Sequence, residues 1–228
     1  MSERERRAFL RAATLTGLAG AAGWQDLASA RDLAPSPPDP RGRPPDPRAR
    51  VLDREALEDI LVGCAYLGCG GGGTLAEGTQ RLADDIKSNL PFALLAVADL
   101  RDQEWVASPY GLGSNAPPTE TEKKRFARVP RSGEDAVEAS FRLLAKFLNR
   151  SFVATIPGEL GPWSTAAALL TAARLGIPAL DADRVGRASP EATHDSVMVA
   201  GLSTVPLAAV TGFGDALILE HAATGSRI

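Results

Sequence analysis

The sequence predicts an α/β fold: a mostly parallel sheet with helices on both faces, a three-layer sandwich, with a β-hairpin tail. Three observations carry this. Four stretches repeat apolar residues at three- and four-residue spacing, the signature of amphipathic helices. Short continuous apolar runs lie between them, as buried strands do. The two kinds alternate along residues 51–228, the order that builds a parallel sheet.

The elements follow in chain order. Leu52, Ala56, Leu57, Ile60, Leu61, Cys64 and Leu67 share one helical face, with Asp53 placed to cap its start. After a glycine run, Thr74 and Glu77 form a capping box for a helix over Leu75–Lys87. PFALLAVA, from Pro91, and QEWVAS, from Gln103, read as strands. A loop rich in Gly, Pro, Ser and Asn spans Pro109–Pro118. Ser132–Arg150 repeats as a helix, and SFVATI, from Ser151, as a strand. PGELGPW then leads into a helix over Ser164–Leu175, stopped by Gly176. Pro178–Asp181 is a short strand. The tail, Asp195–Gly201 and Pro206–His221, alternates and carries a Gly-Phe-Gly-Asp turn, which predicts β-hairpins. In such a sheet ligands sit at the carboxyl ends of the strands. The loops after QEWVAS, SFVATI and PALDAD are therefore expected on one edge.

Composition narrows the function. Net charge is −3 and aromatic residues make up 5% of the chain. Neither a broad basic field nor stacking platforms are available, so nucleic acid is not an expected partner. The expected partners are a small-molecule substrate and a second copy of the chain.

Residues 1–30 read as a twin-arginine export signal. Arg6 and Arg7 precede Ala8-Phe9-Leu10-Arg11, a weakly apolar region follows, and Ala28-Ser29-Ala30 forms an A-x-A cleavage site. The apolar region is too short to form a stable membrane span. The expected location is the periplasm or another exported compartment. Residues 31–50 hold seven prolines and five arginines and read as a disordered tether.

The stretch LGCGGGGT needs a reason, because glycine loses more backbone freedom on folding than any other residue. Gly68-x-Gly70-x-x-Gly73 formally matches a dinucleotide fingerprint, yet it follows a helix where that fingerprint follows a strand. Two readings stand. The amides of Gly70, Gly71, Gly72 and Gly73 form an anion-binding concavity beside a helix N-terminus, or the run permits a close helix crossing.

Three stretches together resemble the S-methyl thiohydantoin desulfurase-like family, a hydantoinase-like group once labelled a domain of unknown function. They are LGCGGGG, SPYGLGSNAP and PGELGPWSTAAALLTAARLGIPALDADRVGRASPE. The matching residues are Glu159, Ala173-Arg174-Leu175-Gly176, Asp181-Ala182-Asp183, Gly186-Arg187-Ala188 and Pro190-Glu191. Pro162-Trp163-Ser164 departs from the family's Gly-x-Asn, Arg184 from its usual Gly and Ser189 from its usual Phe. The resemblance implies a hydrolase of the desulfurase type, acting on a five-membered cyclic amide or its sulfur analogue. It also implies that residues 51–228 are the N-terminal α/β domain and that the tail begins a truncated second, β-rich domain, so that a separate β-domain subunit is an alternative partner to a second copy of the chain.

Glu159 follows a predicted strand, and Asp181 and Asp183 alternate at the end of the next, where residues two apart face the same way. The carboxylates are candidates for acid–base work on a ring amide, or Asp181 and Asp183 for holding a divalent metal. The bland alternative for the pair is loop hydrogen bonding; the resemblance favours a site. Arg187 is a candidate for orienting a substrate carboxylate, and the glycine amides for receiving negative charge. Cys64 lies on the predicted buried face as a small core residue. Cys69, beside the glycines, is a candidate nucleophile, with a Cys64–Cys69 disulfide as the alternative. His194 and His221 have no ligand spacing. A second function stays open: an exported, non-catalytic module that binds a small ligand or a subunit.

Overall fold

The computed structural model describes residues 46–111, 118–189 and 194–222. The export signal expected over residues 1–30 lies outside them, as do Pro190 and Glu191 and part of the SPYGLGSNAP loop.

Five strands form one sheet in the order β1-β2-β5-β4-β3. They are β1 (Arg50–Leu52), β2 (Phe92–Leu95), β3 (Trp105–Ala107), β4 (Phe152–Thr155) and β5 (Ala179–Leu180). β2, β5, β4 and β3 are mutually parallel. Their carboxyl ends therefore share an edge, as the alternation predicts. β1 pairs antiparallel with β2, Val51 opposite Ala93. This edge strand has too few residues for a period to be read. Arg48, within the stretch read as tether, bonds to Asp46, Glu104 and the Asp99 carbonyl.

Helices surround the sheet in an α/β sandwich. α1 (Arg54–Gly68) is capped by Asp53, whose carboxylate accepts from the Ala56 amide. α2 (Leu75–Lys87) starts with the expected Thr74/Glu77 capping box. α3 (Glu120–Phe126), with a second such box at Thr119/Glu122, lies where no apolar period announces it. α4 (Ala136–Leu148) is capped by Asp135. α5 (Pro162–Leu175) begins on Pro162 and ends at Gly176, which is left-handed with φ 68°. Nearly every side chain of α5 is buried, because α1, α2 and the sheet enclose it. Leu57, Leu61, Leu82, Phe92, Leu169 and Leu170 form the main core there. Burying a leucine side chain stabilises by roughly 1.5–3 kcal/mol.

The tail needs one correction. Asp195–Gly201 does not form a strand: it holds the short helix α6 (Ser196–Val199), because the Asp195 carboxylate accepts from the Val197 and Met198 amides and caps a turn. The hairpin appears further on, as β6 (Leu207–Val210) against β7 (Ala216–Leu219) around the Gly-Phe-Gly-Asp turn. It packs on α4, where the Val210 amide donates to Ser140 Oγ at 2.9 Å. Among the described residues no helix is long and apolar enough to cross a membrane.

Candidate functional site

The glycine run is a joint between α1, α5 and the loop after β5. Cys69 ends α1 in a left-handed conformation, φ 49°. The Gly72 carbonyl then accepts from the Trp163 and Ser164 amides at 3.0 and 3.2 Å, capping α5. This backbone approach requires glycine on both sides. A Cβ on Gly72 would lie 2.6 Å from Gly161 Cα, and one on Gly161 would lie 2.4 Å from Gly72 Cα. A Cβ on Gly73 would lie 2.3 Å from Trp163 Cβ, and one on Gly71 would lie 2.5 Å from Ala188 Cβ. Gly70 faces open space.

The loop after β4 and the loop after β5 meet at this joint. The Leu160 amide donates to the Arg187 carbonyl at 3.2 Å. Glu159 ties the two loops together: Oε1 accepts from Ser164 Oγ at 2.9 Å, and Oε2 accepts from the Ser189 amide at 2.6 Å. Glu159, Gly71, Gly72, Gly73 and the Arg187–Ser189 segment are thus gathered on the expected edge.

Each of the other candidates has hydrogen-bond partners of its own. Asp183 Oδ1 accepts from the Val185 amide at 2.7 Å and also from the Gly186 amide, folding the loop back on itself. Asp181 is exposed, and its amide donates to the Leu95 carbonyl. Arg187 is exposed, and its Nε donates to the Ala188 carbonyl. Cys69 is exposed, and its thiol donates to the Tyr66 carbonyl of its own helix. Cys64 is buried and donates to Thr165 Oγ1 at 3.3 Å, so both thiols are free. Burial pushes the Cys64 thiol up, Asp183 adds to that, and the Thr165 hydrogen bond acts against it. Among the described residues no three His, Cys, Asp or Glu side chains are grouped to hold a metal. Asp183 Oδ1 is engaged by two amides, so a divalent metal at the Asp181–Asp183 pair would have to share that oxygen with them or use Oδ2.

Sequence reasoning missed residues beside Glu159. The loop after β3 packs against the neighbouring Gly158: a Cβ there would lie 3.4 Å from Ser108 Oγ and 3.6 Å from Tyr110 Cβ. Arg184 is nearly buried and pairs with Asp195, at the base of α6. Burial pulls the Arg184 guanidinium down, opposed by Tyr110, and burial pushes the Tyr110 phenol up, opposed by Arg184. The one sequence signal for Arg184 was its place in a position where the resemblance expects glycine. Trp163, also a departure, fills the space that Gly73 and Gly111 leave, with the Arg81 guanidinium 4.9 Å from its ring centroid.

The fold resembles that of a crystal structure of a protein from Chromobacterium violaceum, with a TM-score of 0.58 and 22% identity. The match covers 76% of this chain and 45% of that one, so this chain spans less than half of that relative's length. No curated protein matches. The family model described as "S-Me-THD-like, N-terminal domain" matches residues 55–221, which covers the sheet, the joint, both Glu159 loops and the hairpin, and the chain therefore belongs to the S-Me-THD-like family through that domain.

Proposed function

We propose that this chain is the α/β part of a hydantoin- or thiohydantoin-processing protein, a hydrolase of the desulfurase type that acts on a small five-membered cyclic amide. One observation supports this above the others. Glu159 is held by two hydrogen bonds where the glycine joint meets the loop after β5. Each carboxylate oxygen that accepts one hydrogen bond keeps a further lone-pair direction. Glu159 can therefore take a proton from an attacking water. With an S-methyl thioimidate as substrate, water oxygen bonds to the ring carbon and the carbon–sulfur bond breaks. The proton held by Glu159 passes to sulfur and the second water proton to the ring nitrogen, so methanethiol leaves and a ring carbonyl remains beside an N–H. Export through the twin-arginine route, and action in the periplasm, belong to the same proposal.

A second reading is a module that binds such a ring without turnover. It is favoured by Asp183, whose Oδ1 is engaged by loop amides, and by the exposure of Asp181. The full chain is incubated with an S-methyl thiohydantoin, released thiol is measured, and thermal stabilisation by hydantoin is followed in parallel. Turnover that disappears in Glu159→Gln, with Tm kept, supports the hydrolase. Stabilisation without thiol release supports the binding module. Turnover that survives Glu159→Gln overturns the role given to Glu159.

A further inference from the structure

A cavity of about 180 Å³ lies between the carboxyl edge of the sheet and the 203–208 segment that precedes the hairpin. Its apolar walls include Leu100, Val106, Phe152, Ile156, Leu180 and Pro206. Neither Glu159, Asp181 nor Asp183 lines it. Polar side chains from three separate stretches of chain do: Ser108 and Tyr110 after β3, Arg184 after β5, and Ser203 and Thr204 ahead of β6. Ser108 Oγ, Arg184 Nε and Thr204 Oγ1 are all buried with no protein hydrogen-bond partner among the described residues. Buried polar atoms are almost always partnered. Three exceptions converging on one cavity at a sheet's ligand-binding edge are the pattern of a recognition site.

We propose that this cavity binds a compact, uncharged molecule that carries an amide, or a similarly paired donor and acceptor, on an apolar ring. Size sets the first limit, because a cavity near 150 Å³ already admits benzene. Charge sets the second. The Arg184 guanidinium already faces the Asp195 carboxylate, whose side chain is only 8% exposed. A carboxylate ligand would bring in a charge with no partner, at a large desolvation cost. Hydrogen-bond chemistry sets the third. Arg184 Nε–H can only donate, so the ligand must accept there, while the Ser108 and Thr204 hydroxyls can each donate or accept. A group with C=O beside N–H satisfies all three atoms. The Tyr110 phenol beside them is kept neutral by burial and adds no countercharge. None of this depends on Glu159 acting in catalysis.

The test uses the full chain with δ-valerolactam as the neutral amide and cyclopentanecarboxylate as an anion of similar shape. Binding is read by ligand-observed NMR and by Tm. The lactam is expected to bind saturably at millimolar concentration, raising Tm by about 4 °C at ten times Kd, while the carboxylate does not. Ser108→Ala and Thr204→Val are each expected to weaken lactam binding about fivefold. Because their hydroxyls lack protein partners, both variants should keep or raise the ligand-free Tm. The proposal is overturned if the lactam does not saturate, if the carboxylate binds as well, or if both variants bind like the parent. A fall of several degrees in the ligand-free Tm of either variant would also overturn it, since that hydroxyl would then be holding the fold.

Discussion

At the glycine joint, backbone meets backbone: the Gly72 carbonyl is satisfied by two α5 amides, and a Cβ on either Gly72 or Gly161 would strike the other's main chain. In the cavity around Ser108, Arg184 and Thr204, on the same edge of the sheet, there is open volume and three polar atoms lack a partner among the described residues. Close packing with every polar group matched is how a chain secures a structural connection. Spare volume with unmatched donors is how it leaves room for something else. Of the two readings of the glycine run, the close approach is the one that Gly72 and Gly161 make. The run's tightest residues position Glu159 and α5, and the space for a small molecule lies one loop away.

The comparison breaks most sharply at Gly72. Its φ is +68°, a conformation that branched side chains avoid, and its missing Cβ position faces Gly161 Cα at 2.6 Å. Backbone cannot swing aside as a flexible side chain can. Gly72→Val is expected to cost about 3 kcal/mol or more, combining left-handed strain with a steric clash. Gly70→Ala is the control. Gly70 also has a positive φ, +91°, but its Cβ would meet nothing within 4 Å, so the expected cost is about 1 kcal/mol. Urea unfolding measures both. Equal losses would mean that the joint is no tighter than its solvent-facing neighbour.

Within the cavity, the paired and unpaired groups should behave differently. Arg184→Met strands the buried Asp195 carboxylate, and breaking such a pair from one side costs about 3 kcal/mol. Ser108→Ala, at the same cavity, should cost nothing. Thermal unfolding of the two variants checks this, and a harmless Arg184→Met would show that Asp195 does not depend on its partner.

The fold was legible wherever local chemistry and tertiary context agreed. Asp53, the Thr74/Glu77 box and Gly176 mark helix ends through hydrogen bonds made within a few residues, so spacing alone reveals them. The carboxyl edge followed from the alternation of helices and strands. β1 was not legible: three residues carry no period, and Leu52, which falls in step with the helix that begins at Arg54, was counted into that helix. α6 was read as strand because Val197, Met198 and Val199 look extended until Asp195 is seen to cap them. Of the candidate site, the glycines stood out as a costly run and Glu159 through the resemblance, and the structure joins both to the loops around Gly161 and Ser189. Ser108 and Thr204 were not found, since a serine or threonine in a loop is ordinary in sequence. Only a buried position without a partner sets them apart. Arg184 was noticed as a departure, but its pairing with Asp195 at the base of α6 is a tertiary contact that spacing does not reveal.

The smallest expected effect concerns the two cysteines, and it tests the packed side of the comparison without disturbing it. Cys64 is 5% exposed between α1 and Thr165 of α5, while Cys69, at the start of the joint, is exposed. Burial, with Asp183 as a lesser cause, raises the Cys64 thiol above its ordinary value of 9.0. A group that holds its proton more tightly when folded contributes stability that is complete below its unfolded value. That contribution is lost as pH rises through the folded value. Stability should therefore decline from about pH 9 upward, by at most about 1.4 kcal/mol per pH unit from this group. Replacing Cys64 with alanine should remove that part of the slope. Iodoacetamide at pH 8 should modify Cys69 in the folded chain and reach Cys64 only on unfolding, as read by mass spectrometry. If both thiols react at the same rate, the α1–α5 contact opens readily. The joint would then owe its order to the glycine backbone alone and not to the helices it connects.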